Sequence, residues 1–266
     1  MRILRLLALC ALLLPLPAAA QNQPRGQQQQ PPQQQQPQQA PQPAPPKPYK
    51  PVAVKAPAPV NEPGLEGLRK QLAAAAQKKD RTALARLTVG KGFFWERETG
   101  DGADKKKSSI DNLATALGLA SKDGVGWDML AGYAEEPTAS PMPGRANTLC
   151  APADPTFDDK AFEALLNDTQ TDFSEWGYPV TGDVEVRSAP QANAPVIGKL
   201  GSAFVRVLPE AASASPPSLM RIVMPDGKTG YVPVDTLAPI GGDRLCYAKE
   251  GNAWKIGGYI GGGDAQ

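Results

Sequence analysis

From Gly64 onward the apolar residues fall into two textures. Leu65, Leu68 and Leu72 stand at helical spacing and run into Ala73-Ala74-Ala75-Ala76, so a helix is predicted there. Asp80 is placed to cap a second short helix carrying Leu84 and Leu87. Phe93-Phe94-Trp95 reads as a short buried strand, and Thr99 to Ser109, rich in Gly, Asp and Lys, as a solvent loop. A helical stripe restarts at Ile110, Leu113 and Leu117, with Ser108 or Ser109 as its cap. Another carries Trp127, Leu130 and Tyr133 and stops at Pro137, Pro141 and Pro143. A further helix starts near Thr156 to Asp158 and carries Phe162, Leu165 and Leu166. Residues 63–177 are therefore expected to form a mostly helical domain.

After Trp176 the period changes. Thr181 to Arg187, Val196 to Leu200, Phe204 to Leu208, Leu219 to Met224 and Thr229 to Val232 are short apolar or β-branched runs punctuated by Gly, Pro, Asp and Asn. Five such runs over about sixty residues predict a small barrel at 178–240. Leu245–Lys249 and Trp254–Ile260 flank Glu250-Gly251-Asn252 and read as a hairpin, so 241–266 is expected to be a C-terminal hairpin with a Gly-rich tail. The fold class predicted is α+β: a mostly helical N-terminal domain, a small barrel, then a β-hairpin.

The first 62 residues differ from both textures. Arg2 and Arg5 precede an apolar run from Leu6 to Leu14, Pro15 and Pro17 break it, and Ala18-Ala19-Ala20 supplies small residues for cleavage between Ala20 and Gln21. Residues 1–20 thus read as a signal peptide of the style of Gram-negative bacteria, which implies a periplasmic protein. No later stretch is long and apolar enough for a membrane helix. Residues 21–60 hold 13 Gln and 12 Pro. Such a tract buries too little apolar surface to offset its ordering entropy, so 21–62 is expected to be a disordered arm, either a spacer or a solvated tail.

The barrel segment carries a family likeness. Val184-Glu185-Val186-Arg187-Ser188-Ala189-Pro190, Val196-Ile197-Gly198-Lys199-Leu200 and Val205-Arg206-Val207-Leu208 are followed by Met220 to Val232 with Pro225-Asp226-Gly227-Lys228-Thr229-Gly230-Tyr231-Val232. This series resembles a bacterial SH3-like domain over about 180–238. Glu185, Ala189, Met220 and Tyr231 depart from the residues usual there, two of them replacing tryptophans. The resemblance implies a small binding or architectural barrel of envelope proteins, with cell-wall peptide among its ligands. Leu65–Leu87 and Asn252-Ala253-Trp254-Lys255-Ile256-Gly257-Gly258-Tyr259 look more faintly like the ends of nuclear-transport-factor-like domains. That likeness implies that the C-terminal hairpin returns to the N-terminal domain and that a Cys150–Cys246 bridge staples it there.

Composition narrows the chemistry. The 266 residues include no histidine, which removes Ser-His and Cys-His nucleophiles and His-ligated metals. Residues 61–266 hold 22 of the 28 basic residues and all 27 acidic ones, so the body is mildly acidic and nucleic acid is not an expected partner. Once Cys10 leaves with the signal, Cys150 and Cys246 remain, and an even pair in an oxidising compartment is a disulfide candidate.

Glu96 and Glu98 end the Phe-Phe-Trp strand and could form an acid/base pair, or merely its polar face. Asp101 to Asp104 has only part of a calcium-loop pattern, and Lys105-Lys106-Lys107 reads as a solvated run. No cofactor or metal site is expected. Tyr178, Arg187, Tyr231 and Trp254 are the candidate binding residues, being of the types enriched at binding hot spots. The plainer role for Tyr231 and Trp254 is barrel or hairpin core, and for Arg187 a structural ion pair. The function expected is a secreted, non-catalytic binding or scaffolding module for cell-wall peptide or an envelope protein. The alternative is an accessory or weak carboxylate-dependent cell-wall hydrolase.

Overall fold

In a computed structural model of the chain, residues 46–209 and 218–261 are described. The signal segment with its Ala20–Gln21 junction, and the arm up to residue 45, lie outside them. From the N-terminal side the elements are β1 (Val54–Lys55), α1 (Leu65–Gln77), α2 (Arg81–Leu87), β2 (Phe94–Arg97), β3 (Gly100–Asp101), α3 (Ser109–Ala116), α4 (Val125–Glu135), β4 (Ser140–Pro141), β5 (Thr148–Ala151), β6 (Thr156–Phe157) and α5 (Asp159–Thr169). Asp80, Ser108 and Asp158 cap α2, α3 and α5 by accepting the backbone N–H of the third residue beyond each cap. Next come β7 (Trp176–Pro179), β8 (Val184–Arg187), β9 (Val196–Leu200), β10 (Val205–Val207), β11 (Leu219–Val223), β12 (Thr229–Pro233) and β13 (Leu237–Pro239). The hairpin β14 (Arg244–Glu250) and β15 (Ala253–Ile260) closes the chain.

The expectation of a mostly helical N-terminal domain is overturned. The described residues are mostly β: fifteen strands in three sheets, with five α-helices. The N-terminal region contributes four short strands to a six-stranded sheet of order β3-β2-β15-β14-β5-β4. Its two long central strands are the C-terminal hairpin. β15 lies parallel to β2, and β14 antiparallel to β5. The N-terminal strands are two to four residues long, too short to show an alternating pattern, and β2 and β5 find their hairpin partners far along the chain.

Leu65, Leu68 and Leu72 of α1, Leu84, Leu113 and Leu130 pack on Leu245, Tyr247, Ile256 and Tyr259 of this sheet. The opposite face holds Phe94, Cys150 and Cys246. The hairpin and the N-terminal region therefore share one core.

The second body is a seven-stranded antiparallel sheet of order β13-β7-β10-β11-β12-β8-β9, containing all five of the expected strands. Val184, Val186, Leu200, Val205, Ile222, Met224, Val232 and Leu237 form one core. Leu237 and Leu200 come from the two end strands of that order, so the sheet wraps around its own interior. The turn at Asp226-Gly227 has Gly227 at φ 84°, the left-handed region that a tight hairpin turn requires. At Gly230 a Cβ would lie 2.2 Å from Val186 Cγ1, so the approach of β12 to β8 depends on glycine.

The outer face of β7 and β10 is covered by α5 and by the end of the arm. Val52, Val54, Phe162, Leu165, Trp176, Tyr178 and Phe204 form a separate core there. Residues 46–62, read from composition as part of the arm, are thus folded onto the body. Tyr49 Oη–H donates to the Val223 carbonyl at 2.9 Å and meets the Trp176 ring edge-on at 5.0 Å. Val54 pairs with Phe157, and its N–H donates to the Ser202 carbonyl at 3.0 Å. The physical reason is local: three apolar anchors, Tyr49, Val52 and Val54, are diluted by prolines in the composition average but sit at alternate or near-alternate positions of an extended chain.

Candidate functional site

The four candidate binding residues do not converge. Tyr231 and Arg187 are directly opposite one another on β12 and β8, with Arg221 opposite Tyr231 on the other side, so these three make a row across the outer face. Arg187 is held within its own hairpin: Nη1 donates to the Ala194 carbonyl at 3.0 Å, and Nη2 approaches Glu185 Oε2 at 3.4 Å. Trp254 belongs to the other sheet and is buried. Its Nε1–H donates to the Pro63 carbonyl at 3.2 Å, and the Lys249 ammonium lies 4.8 Å from its ring. It buttresses the start of α1. Tyr178 on β7 lies three strands from Tyr231 in the sheet order, roughly 14 Å at the usual strand spacing.

Tyr178 lines a cleft of about 580 Å³ at the junction of the two bodies. One wall is β13 with Val180. The second is formed by Glu136 to Thr138, Pro152 to Pro155 and Arg244. The third is Ala56, Pro57 and Pro59. The last wall is fixed because Pro59 bridges to Thr138 and the Val60 N–H donates to the Pro137 carbonyl at 3.0 Å. Prolines dominate the lining, giving rigid apolar surface that loses little side-chain entropy on contact.

The polar groups are few and placed. Tyr178 is 4 % exposed, and its hydroxyl has no hydrogen-bond partner among the described residues. Burial raises its pKa, and the nearby Asp154 and Glu136 carboxylates raise it further. Glu136 Oε1 accepts from the Thr138 N–H at 2.7 Å and from its hydroxyl at 2.6 Å. Thr138 Oγ1 in turn accepts the Ala153 N–H at 2.9 Å. Arg244 Nη1 pairs with Asp154 Oδ2, while Arg244 Nε is buried without a partner. The Tyr178 hydroxyl, unlike Arg244 Nε, is not sealed from solvent, so the cleft presents it to water or to a ligand group.

The other sequence candidates have local roles. Glu96 is half-buried and meets Arg145 Nε at 3.4 Å, whereas Glu98 stands exposed in the turn between β2 and β3. The two share no pocket. Asp101 and Asp104 accept backbone N–H groups of Ala103 and Lys106 at 2.9 and 2.8 Å, as turn residues do. Among the described residues no three Asp, Glu or Cys side chains converge on a metal position. Cys150 and Cys246 form a disulfide between β5 and β14.

Sequence reasoning found Tyr178 but not Glu136, Asp154 or Arg244. These come from a helix end, a proline loop and the first residue of β14, and only the tertiary fold brings them together. The density of prolines at 137, 152 and 155 was the one signal available. No family model, no curated protein and no solved structure matches this chain.

Proposed function

We propose that the protein is a non-catalytic binding module of the cell envelope, and that the cleft at Tyr178 receives peptide of the cell wall or of an envelope protein. In this reading the chain is exported through its signal peptide and works in the periplasm, and an SH3-like domain supplies one wall of the site. The carrying observation is the Tyr178 hydroxyl, on a buried ring and without a protein partner among the described residues, open to a rigid proline-walled cleft with carboxylates beside it. Peptide is the ligand class that brings both apolar stems for such walls and polar groups for such a centre. The disulfide supports the compartment, since oxidising surroundings let such bonds persist.

Sedimentation with purified cell-wall sacculi, run beside a zymogram, tests the reading. The protein is expected to co-sediment without clearing the gel, and Tyr178→Phe is expected to weaken retention about fivefold. Clearing that Glu96→Gln abolishes would overturn the non-catalytic assignment. Failure of the wild-type protein to sediment would overturn the cell-wall ligand.

A further inference from the structure

We infer that the group anchored in this cleft is a primary ammonium on an aliphatic stem, the side chain of a lysine or of another diamino acid within a peptide. The inference rests on the cleft being the binding site and adds what the site selects. Tyr178, Glu136 and Asp154 all line the cleft, and the two carboxylates help to raise the pKa of the phenol. The three acceptors come from separate segments: β7, the end of α4 and the loop after β5.

Among the described residues, the cleft lining carries two carboxylates and one guanidinium. Arg244 is engaged by Asp154, and Arg69 directs its guanidinium at the Pro137 and Thr138 carbonyls, at 3.4 and 3.2 Å. Glu136 has its hydrogen bonds from Thr138 but no ion pair among the described residues. One carboxylate is therefore without a counter-ion beside an unpartnered hydroxyl.

An ammonium carries three donors and no acceptor, which suits a centre of carboxylates and a phenol oxygen. A ligand carboxylate would face two like charges, and of the Arg244 guanidinium Nη1 is already paired with Asp154 while Nε is sealed from solvent. The stem of the side chain has its own place, because Pro57, Pro152, Pro239 and Val180 line the approach with apolar surface.

The test is an amide chemical-shift titration of the purified protein with the end-blocked tripeptide acetyl-Ala-Lys-Ala-amide and with its Nε-acetyl form. The free-amine peptide is expected to shift the amides of Tyr178 and Glu136, and acetylation to weaken binding about tenfold. Glu136→Gln keeps an oxygen for Thr138 and removes the charge, so it preserves the fold and is expected to weaken the free-amine peptide by a similar factor.

Equal binding of both peptides, or tighter binding of acetyl-Ala-Glu-Ala-amide, would overturn the inference. If the lysine peptide leaves these amides unmoved while sacculi still retain the protein through Tyr178, the ammonium assignment fails and the cleft remains the site. If neither depends on Tyr178, both fail.

Discussion

Cys150 and Cys246 stand directly opposite each other on β5 and β14, their Cα atoms 4.0 Å apart although 96 positions separate them in the chain. The whole seven-stranded sheet is looped out between them. The bond therefore fastens the returning hairpin to the N-terminal sheet, in a core where the cysteines are 1 % and 0 % exposed. Replacing both with serine is expected to lower the unfolding free energy by about 2–5 kcal/mol, read from denaturant midpoints. Without reductant, the denatured protein should give no titratable thiol from this pair. One thiol per cysteine would contradict the bond.

The end of the arm behaves as part of the fold. Tyr49→Phe removes the donor to the Val223 carbonyl and is expected to cost about 1 kcal/mol. Val54→Ala is expected to cost about 2 kcal/mol, because Val54 is 5 % exposed against Phe162 and Trp176. Chemical denaturation measures both. Unchanged midpoints would mean that residues 46–57 are a passive tail.

Gly230→Ala tests the closeness of β12 and β8. The added methyl meets Val186 Cγ1 at 2.2 Å and the Arg187 carbonyl oxygen at 3.0 Å, so a strand must move. The expected destabilisation is about 1–3 kcal/mol, seen as a lower melting temperature. Gly132→Ala is the control, since nothing lies within 4 Å of its added carbon. A larger loss at Gly132 would contradict the packing.

Alkaline pH should loosen the helical layer. Burial pushes the phenols of Tyr133 and Tyr247 up to about 12, and it raises Tyr49 and Tyr259 as well. Folding favours their neutral forms, so their contribution is complete below the unfolded value near 10 and is lost as pH rises from there through 12. Stability should fall in that window by about 1.4 kcal/mol per pH unit for each such group. Absorbance titration near 295 nm should show these tyrosines ionising late, with unfolding. Ionisation of all tyrosines near 10 with the fold intact would contradict their burial.

Local signals in the sequence read well. Asp80, the Ser108-Ser109 pair and the stretch from Thr156 to Asp158 marked helix starts, and the five strands from Val184 to Pro233 and the final hairpin announced themselves by short apolar runs and turn residues. What could not be read was non-local. Thr148-Leu149-Cys150-Ala151 is four residues with no alternation, because three of them are buried on one side or the other of a sheet whose centre arrives a hundred residues later. Trp176 and Gly177 read as the end of a helical domain but form one strand with Tyr178 and Pro179 in the second sheet, and α5 packs on that sheet too. At the site, Tyr178 stood out by residue type. Its carboxylate neighbours are ordinary acidic residues whose meaning comes only from the cleft.

The most direct test of the account is to map where peptide from digested sacculi lands, by amide chemical shifts on the purified protein. The account predicts shifts centred on Tyr178, Ala238, Ala153 and Arg244, which all line the cleft. Shifts confined to Arg187, Tyr231 and Val196 on the outer face, or none at millimolar peptide, would contradict it.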